Sequence, residues 1–228
     1  MKIAIIVAMS KELNLLLPLI DEINETKING YGLYKGKIGN HDVCAMQCGI
    51  GKVNAAIGTM TLIEEFHPEL VINTGVAGGA DIAVRQMDVV VGERVAYHDV
   101  WCGPGTEYGE AANCPVYFTP DYQLLSSLRE SEIDNLKFGL ICTGDKFIST
   151  QSEIAFIKEK FPDAIAVDME SGAICQVCHL KSTSAIIIRV ISDTPGANED
   201  NVSQYDNFWE EAPRHTFAIL KSLLEIIK

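Results

Sequence analysis

The chain has 228 residues, 47% of them hydrophobic and 21% charged, with a formal net charge of −13. That length builds one large domain or two small ones around a substantial core, and the composition is that of a globular protein. The negative balance argues against nucleic acid, whose affinity for proteins comes from Lys and Arg on phosphates. It points instead to a small neutral or cationic molecule, or to one held in a shielded pocket.

The chain opens on MKIAIIVAMSKE. Its apolar run covers only residues 3–9 before Ser10, Lys11 and Glu12, so a buried first strand is expected rather than a signal peptide, and with it a cytoplasmic protein. No stretch reaches the ~18 apolar residues of a membrane span. A helix is expected over 11–17, with Ser10 as N-cap and Glu12 in its first turn. Residues 31–38 and 42–48 read as a hairpin turned at Gly39 and Asn40. GIGK (49–52) then enters a helix over 52–66. It lacks P-loop spacing, and Asn54 stands where a dinucleotide fingerprint needs its third Gly; a tight turn into the helix explains it. A strand over 70–73 is followed by TGVAGG (74–79), whose glycines let backbone approach a ligand closely. Beyond it come a strand over 88–98, a long loop over 101–113, a helix over 121–130 and a strand over 137–143. GDKFIST (144–150) precedes a helix over 151–160. A strand over 164–167 ends on Asp168, Met169 and Glu170, which lead a helix over 170–179. The last strand, 184–191, ends on Ser192 and Asp193, before a loop over 195–203 and a helix over 206–227.

Several of these strands are apolar on both faces and alternate with helices. We therefore expect a single domain over 1–228 of the α/β class, a three-layer fold with a mixed, mostly parallel central sheet flanked by helices on both sides. Ligands of such sheets bind outside the carboxyl ends of the strands. Here those ends gather small residues, an aromatic and the carboxylates Glu12, Glu170 and Asp193. Each carboxylate alone also reads as a helix cap or a first-turn acid. An acid ending a buried strand, however, must be hydrogen-bonded or protonated. Three together can activate water, protonate a leaving group and grip a diol, which is what glycosidic-bond hydrolysis requires.

Seven cysteines are scattered along the chain. Cys175, Cys178 and His179 match the C-x-x-C-H pattern of haem attachment, but no export signal precedes them and no second pair completes a zinc site. On a helix starting at Glu170 the two cysteines share an apolar face with Ala173, Ile174 and Val177, so packing is expected. No metal and no cofactor are expected.

The stretches IVAMSKE (6–12), GIGKVNAA (49–56), INTGVAGG (72–79), RVAYHD (94–99), GDKFI (144–148), AIAVDMES (164–171), CHL (178–180) and RVISD (189–193) together resemble the 5′-methylthioadenosine/S-adenosylhomocysteine nucleosidases, within the purine nucleoside phosphorylase-like family. The resemblance spans nearly the whole chain. It implies hydrolysis of the N-glycosidic bond of 5′-methylthioadenosine or S-adenosylhomocysteine, with 5′-deoxyadenosine a further candidate, in methionine salvage. By resemblance, Glu12 is the general base acting on water, and Asp193 the general acid protonating adenine N7. Glu170 holds the ribose 2′- and 3′-hydroxyls, with Met169 packed on the sugar and Arg189 positioning water. Phe147 stacks on the purine, and the Ile148 backbone reads its edge. Ala77, Gly78, Val167 and Ser192 shape the pocket, and Met9 and Ile50 lie near the 5′ group. Asp193 should then have a raised pKa from burial, while Glu12, near a helix N-terminus, stays ionised. The resemblance also implies a homodimer in which the 101–113 loop reaches the partner's site.

Two departures stand out. Val76 replaces the Ser usual in the family, and Pro104 and Thr106 stand where aromatics are expected, with Trp101 and Tyr108 nearby. The 5′ preference therefore stays open to another adenosine-like nucleoside of the aminofutalosine type. A phosphorylase would need a cationic, hydroxyl-rich phosphate pocket, and a non-catalytic nucleoside-binding module would lack one of the carboxylates.

Overall fold

In the computed structural model, which describes residues 1–131, 133, 136–195, 201–211 and 213–227, strand β1 (Lys2–Val7) lies inside a nine-stranded sheet. Its side chains alternate between two cores, Ala4 and Ile6 in one and Ile3, Ile5 and Val7 in the other, as a strand covered on both faces requires. Parallel neighbours flank it: β4 (His41–Gln47) and β5 (Leu70–Gly79). β3 (Tyr31–Ile38) forms the expected antiparallel hairpin with β4. Strand β2 (Asp21–Ile28), absent from the sequence reading, pairs with β3 at the sheet edge. Its DEINETKI sequence has no apolar alternation, because residues 21–25 are exposed; charge on an edge strand blocks further pairing.

The other half of the sheet closes on itself. β9 (Ser184–Asp193) runs parallel to β5, and β6 (Val89–Tyr97) pairs antiparallel with β9. From β6 the sheet passes through β7 (Leu136–Thr143) and β8 (Ala164–Asp168), both in parallel register. β8 returns to β5 at Gly78 and Gly79. The register of β5 against β9 slips between Ala77 and Gly78, where Gly78 faces Asp193 of β9 on one side and Val167 of β8 on the other. A Cβ on Gly78 would lie 3.2 Å from the Val167 and Pro195 side chains. TGVAGG is therefore strand rather than loop. Backbone pairing with two neighbours extends β5 six residues past the expected end, with no help from side-chain pattern.

Helices cover both faces. α2 (Lys52–Phe66) and α5 (Ser171–Lys181) pack together and bury Ala55, Leu62, Ile174 and Cys178 against Ala4 and Ile6. α1 (Ser10–Leu16) and α7 (Pro213–Ile226) bury Leu13, Leu16, Leu220 and Leu223 against Ile3 and Ile5. α3 (Tyr122–Arg129) and α4 (Gln151–Lys160) lie in the expected places. The helix expected over 206–227 is in fact two. α6 (Asn201–Glu211) is followed by α7, which opens on Pro213; proline lacks the N–H and clashes with the preceding turn, so it starts a helix rather than sitting inside one. α6 begins within the expected 195–203 loop, whose residues 196–200 lie outside those described.

Cys175 and Cys178 are buried in the α2–α5 layer, and burial pushes the Cys178 thiol up to about 12. Such a thiol packs as a small apolar side chain. The 101–113 loop folds onto its own chain, the Gly109 N–H donating to the Val100 carbonyl (2.8 Å) and the Tyr108 hydroxyl to that of His98 (2.9 Å). Among the described residues no helix is long and apolar enough to cross a membrane.

Candidate active site

The carboxyl ends of β1, β5, β8 and β9 open on one cleft. Its walls include Met9, Glu12, Ile50, Ala77, Gly78, Phe147, Ile148, Val167, Met169, Glu170, Ser192 and Asp193. Every residue singled out from the sequence lines it except Arg189, which lies fully buried behind it. Ala8, Val76, Lys146, Asp168 and Tyr205 also line it.

Glu12 reaches the cleft through the geometry of its helix. Met9, not Ser10, is the N-cap of α1. From the third helical position the Glu12 Oε2 accepts the N–H groups of Ala8 and Met9, both at 2.9 Å, while Oε1 accepts that of Val76 at 3.1 Å. The cap and the site are thus one carboxylate, at 1% exposure. Burial pushes its pKa up, opposed by the Arg189 guanidinium and by those three N–H groups. The sequence argument from the helix terminus missed this desolvation. Gly75 makes room for the arrangement: a Cβ there would meet the Glu12 carboxylate and lie 2.7 Å from Arg189 Nη1.

Arg189 on β9 ties the floor together. Its Nε donates to Asp168 Oδ2 (2.9 Å), and Nη2 to Asn73 Oδ1 (2.6 Å) and Ser171 Oγ (3.1 Å). Glu170 Oε2 lies 3.5 Å from the same Nη2. Nη1 has no hydrogen-bond partner among the described residues. Asp168 also accepts from Thr143 Oγ1 (2.6 Å). Sequence reading placed the segment 168–170 at the site but gave Asp168 no role. Nothing in the sequence signals that a carboxylate from β8 holds a guanidinium from β9.

Glu170 is the N-cap of α5, and its Oε1 accepts the Gly51 N–H at 3.0 Å. Burial pushes its pKa up to about 7, opposed by Arg189 and reinforced by Asp168. A raised carboxyl means that the folded chain holds this proton more tightly than the unfolded one. Its stabilising effect is complete below about 4.5 and is lost as pH rises through about 7. At about 1.4 kcal/mol per pH unit the loss reaches about 3 kcal/mol. Glu170→Gln should therefore lose less stability than the parent between pH 5 and pH 8 in urea unfolding; an equal loss in both would remove Glu170 as the cause.

Asp193, the last residue of β9, is 1% exposed. The Ser192 hydroxyl donates to Oδ1 at 2.6 Å and the Asn201 amide to Oδ2 at 3.4 Å. Burial pushes its pKa up against these two bonds, as the sequence reading expects. Over the cleft, the Phe147 and Tyr205 rings meet edge to face at 5.7 Å, and the Tyr205 hydroxyl donates to Met9 Sδ at 3.4 Å. Tyr205 went unnoticed because the polar stretch around it carries no motif; α6 brings it in.

Comparison with known proteins gives a consistent picture. Residues 2–225 match the family model of the phosphorylase superfamily. The chain is 37% identical to a 5′-methylthioadenosine/S-adenosylhomocysteine nucleosidase of Geobacillus kaustophilus, covering 100% of this chain and 98% of that one. The nucleosidase of S. pneumoniae, solved with the transition-state inhibitor MT-ImmA, superposes with a TM-score of 0.94 at 35% identity over 100% of both chains. A futalosine hydrolase mutant of Helicobacter pylori superposes with a TM-score of 0.89 at 26% identity, over 98% of each chain.

Proposed function

The chain belongs to the 5′-methylthioadenosine/S-adenosylhomocysteine nucleosidase family of the phosphorylase superfamily, and on that premise we propose that it hydrolyses the N-glycosidic bond of these two nucleosides, releasing adenine and a 5-substituted ribose. The observation that most supports this reading is the unequal company of two buried carboxyls in one cleft. Glu12 has a guanidinium and three N–H groups to hold its anion. Asp193 has a hydroxyl and an amide. Where burial raises both, the group with less support for its anion keeps the proton.

In this reading Asp193 donates its proton to adenine N7 as the bond to C1′ breaks, so the base leaves neutral. Glu12 takes the proton of the attacking water. The unpartnered Nη1 of Arg189, which converges with Glu12 on Gly75, supports a role in holding that water. Glu170 grips the ribose hydroxyls and Met169 packs on the sugar. Phe147 stacks on the purine, Ile148 reads its edge by backbone, and Ala77, Gly78, Val167 and Ser192 enclose it. Met9 and Ile50 face the 5′ group. Val76 serves through its N–H, which needs no Ser at that position. Three carboxyl groups, Glu12, Asp168 and Glu170, surround the buried Arg189 guanidinium, a charge balance that disfavours an anionic phosphate as the nucleophile.

A homodimer forms part of the proposal. Ile50, Val53, Ile57 and Trp101 are exposed, and such side chains suit a second copy; a monomeric mass in sedimentation would refute it. So does a cytoplasmic setting in methionine salvage, which the seven free cysteines suit. Substrate choice is tested by adenine release from methylthioadenosine, S-adenosylhomocysteine, 5′-deoxyadenosine, aminofutalosine and, as hypoxanthine, inosine. The first two should be cleaved fastest. Faster cleavage of aminofutalosine would transfer the assignment to that substrate.

A further inference from the structure

The motif RVAYHD ends on Asp99, which touches no part of the cleft. Its carboxylate accepts Lys52 Nζ on both oxygens at 2.8 Å, and Oδ2 also accepts the Asp145 N–H at 2.8 Å. Asp145 in turn accepts the Lys52 N–H on Oδ1 at 2.8 Å, with Oδ2 3.7 Å from Lys52 Nζ. The three residues close a ring between the N-terminus of α2, the end of β6 and the turn after β7. Gly51, directly before Lys52, has φ +95°, and its N–H points out of the helix to Glu170 Oε1 at 3.0 Å. An isolated surface ion pair contributes little. This one is partly buried, with Lys52 and Asp99 side chains 21% and 30% exposed, and its ring holds the Lys52 N–H, one residue after the Gly51 N–H that bonds the buried Glu170.

We propose that Asp99 is a positioning residue: through Lys52 and Asp145 it holds the Gly51 N–H on Glu170 and so fixes the carboxylate that receives the ribose hydroxyls. The inference rests on the ribose-binding reading of Glu170. A group oriented by a second layer of contacts loses its geometry when that layer goes, and a hydrogen bond to a charged group is worth about tenfold or more.

The test uses methylthioadenosine and its 2′,3′-dideoxy counterpart. Asp99→Asn should lower kcat/KM about tenfold on the first and by no more than about twofold on the second. Lys52→Met should behave alike, and Lys52→Arg should restore the discrimination. Equal losses on both substrates, or none on methylthioadenosine, would overturn the proposal. Glu170→Gln separates it from its premise. If that variant still discriminates as the parent does, Glu170 does not grip the hydroxyls and both fall. If it loses discrimination while Asp99→Asn and Lys52→Met keep it, the clamp alone falls.

Discussion

Replacing Asp193 with Asn should cut adenine release by about 10² to 10⁴, the usual worth of a positioned general acid. Asparagine has the same shape and can keep the Ser192 and Asn201 contacts after an amide flip, so the fold should survive. What it lacks is a proton transferable to N7. Without that proton adenine must leave as an anion, and the barrier rises accordingly. The pH profile supplies a second signature. An acid must be protonated to act, so parent kcat/KM should fall as pH rises through the Asp193 pKa, which burial has pushed up. The residual activity of Asp193→Asn should lack that limb. Turnover near that of the parent would remove Asp193 from the chemistry.

Glu12→Gln should cost a similar factor, about 10² to 10⁴, and should also weaken the fold. The parent carboxylate accepts three backbone N–H groups on two oxygens. Glutamine has one oxygen. If that oxygen keeps Ala8 and Met9, the amide NH₂ faces the Val76 N–H, donor against donor. A buried N–H left without an acceptor costs about 1–3 kcal/mol, to be read in the unfolding midpoint. The kinetic signature is opposite to that of Asp193. A base must be deprotonated, so the limb that Glu12→Gln removes is the acidic one, where parent activity rises with pH. Retention of that limb would assign it to another carboxyl.

Much of the site was legible because strand ends announce themselves. Glu12, Glu170 and Asp193 each follow an apolar run, and a sheet brings such ends together. The hairpin over β3 and β4 was legible from its Gly-Asn turn. What stayed hidden depends on pairing between distant segments. β2 has no apolar face to betray it, and the second half of β5 is held by β8 and β9 rather than by its own side chains. Pro213, which divides the last helices, stood in plain view, yet the apolar pattern on either side of it outweighed the break. Asp168 and Arg189, 21 residues apart, meet only because β8 and β9 both pair with β5 beneath the cleft. The cysteine pattern at 175–178, the most conspicuous motif in the chain, marks the buried face of the helix that Glu170 caps.

The central claim is that water, not phosphate, takes the sugar, with Glu12 as its base. The direct measurement is the product formed from methylthioadenosine by the purified protein with and without inorganic phosphate. The free 5-methylthioribose should appear in step with adenine, at a rate that phosphate leaves unchanged. A phosphate-dependent rate, with the sugar recovered as its 1-phosphate, would contradict the account.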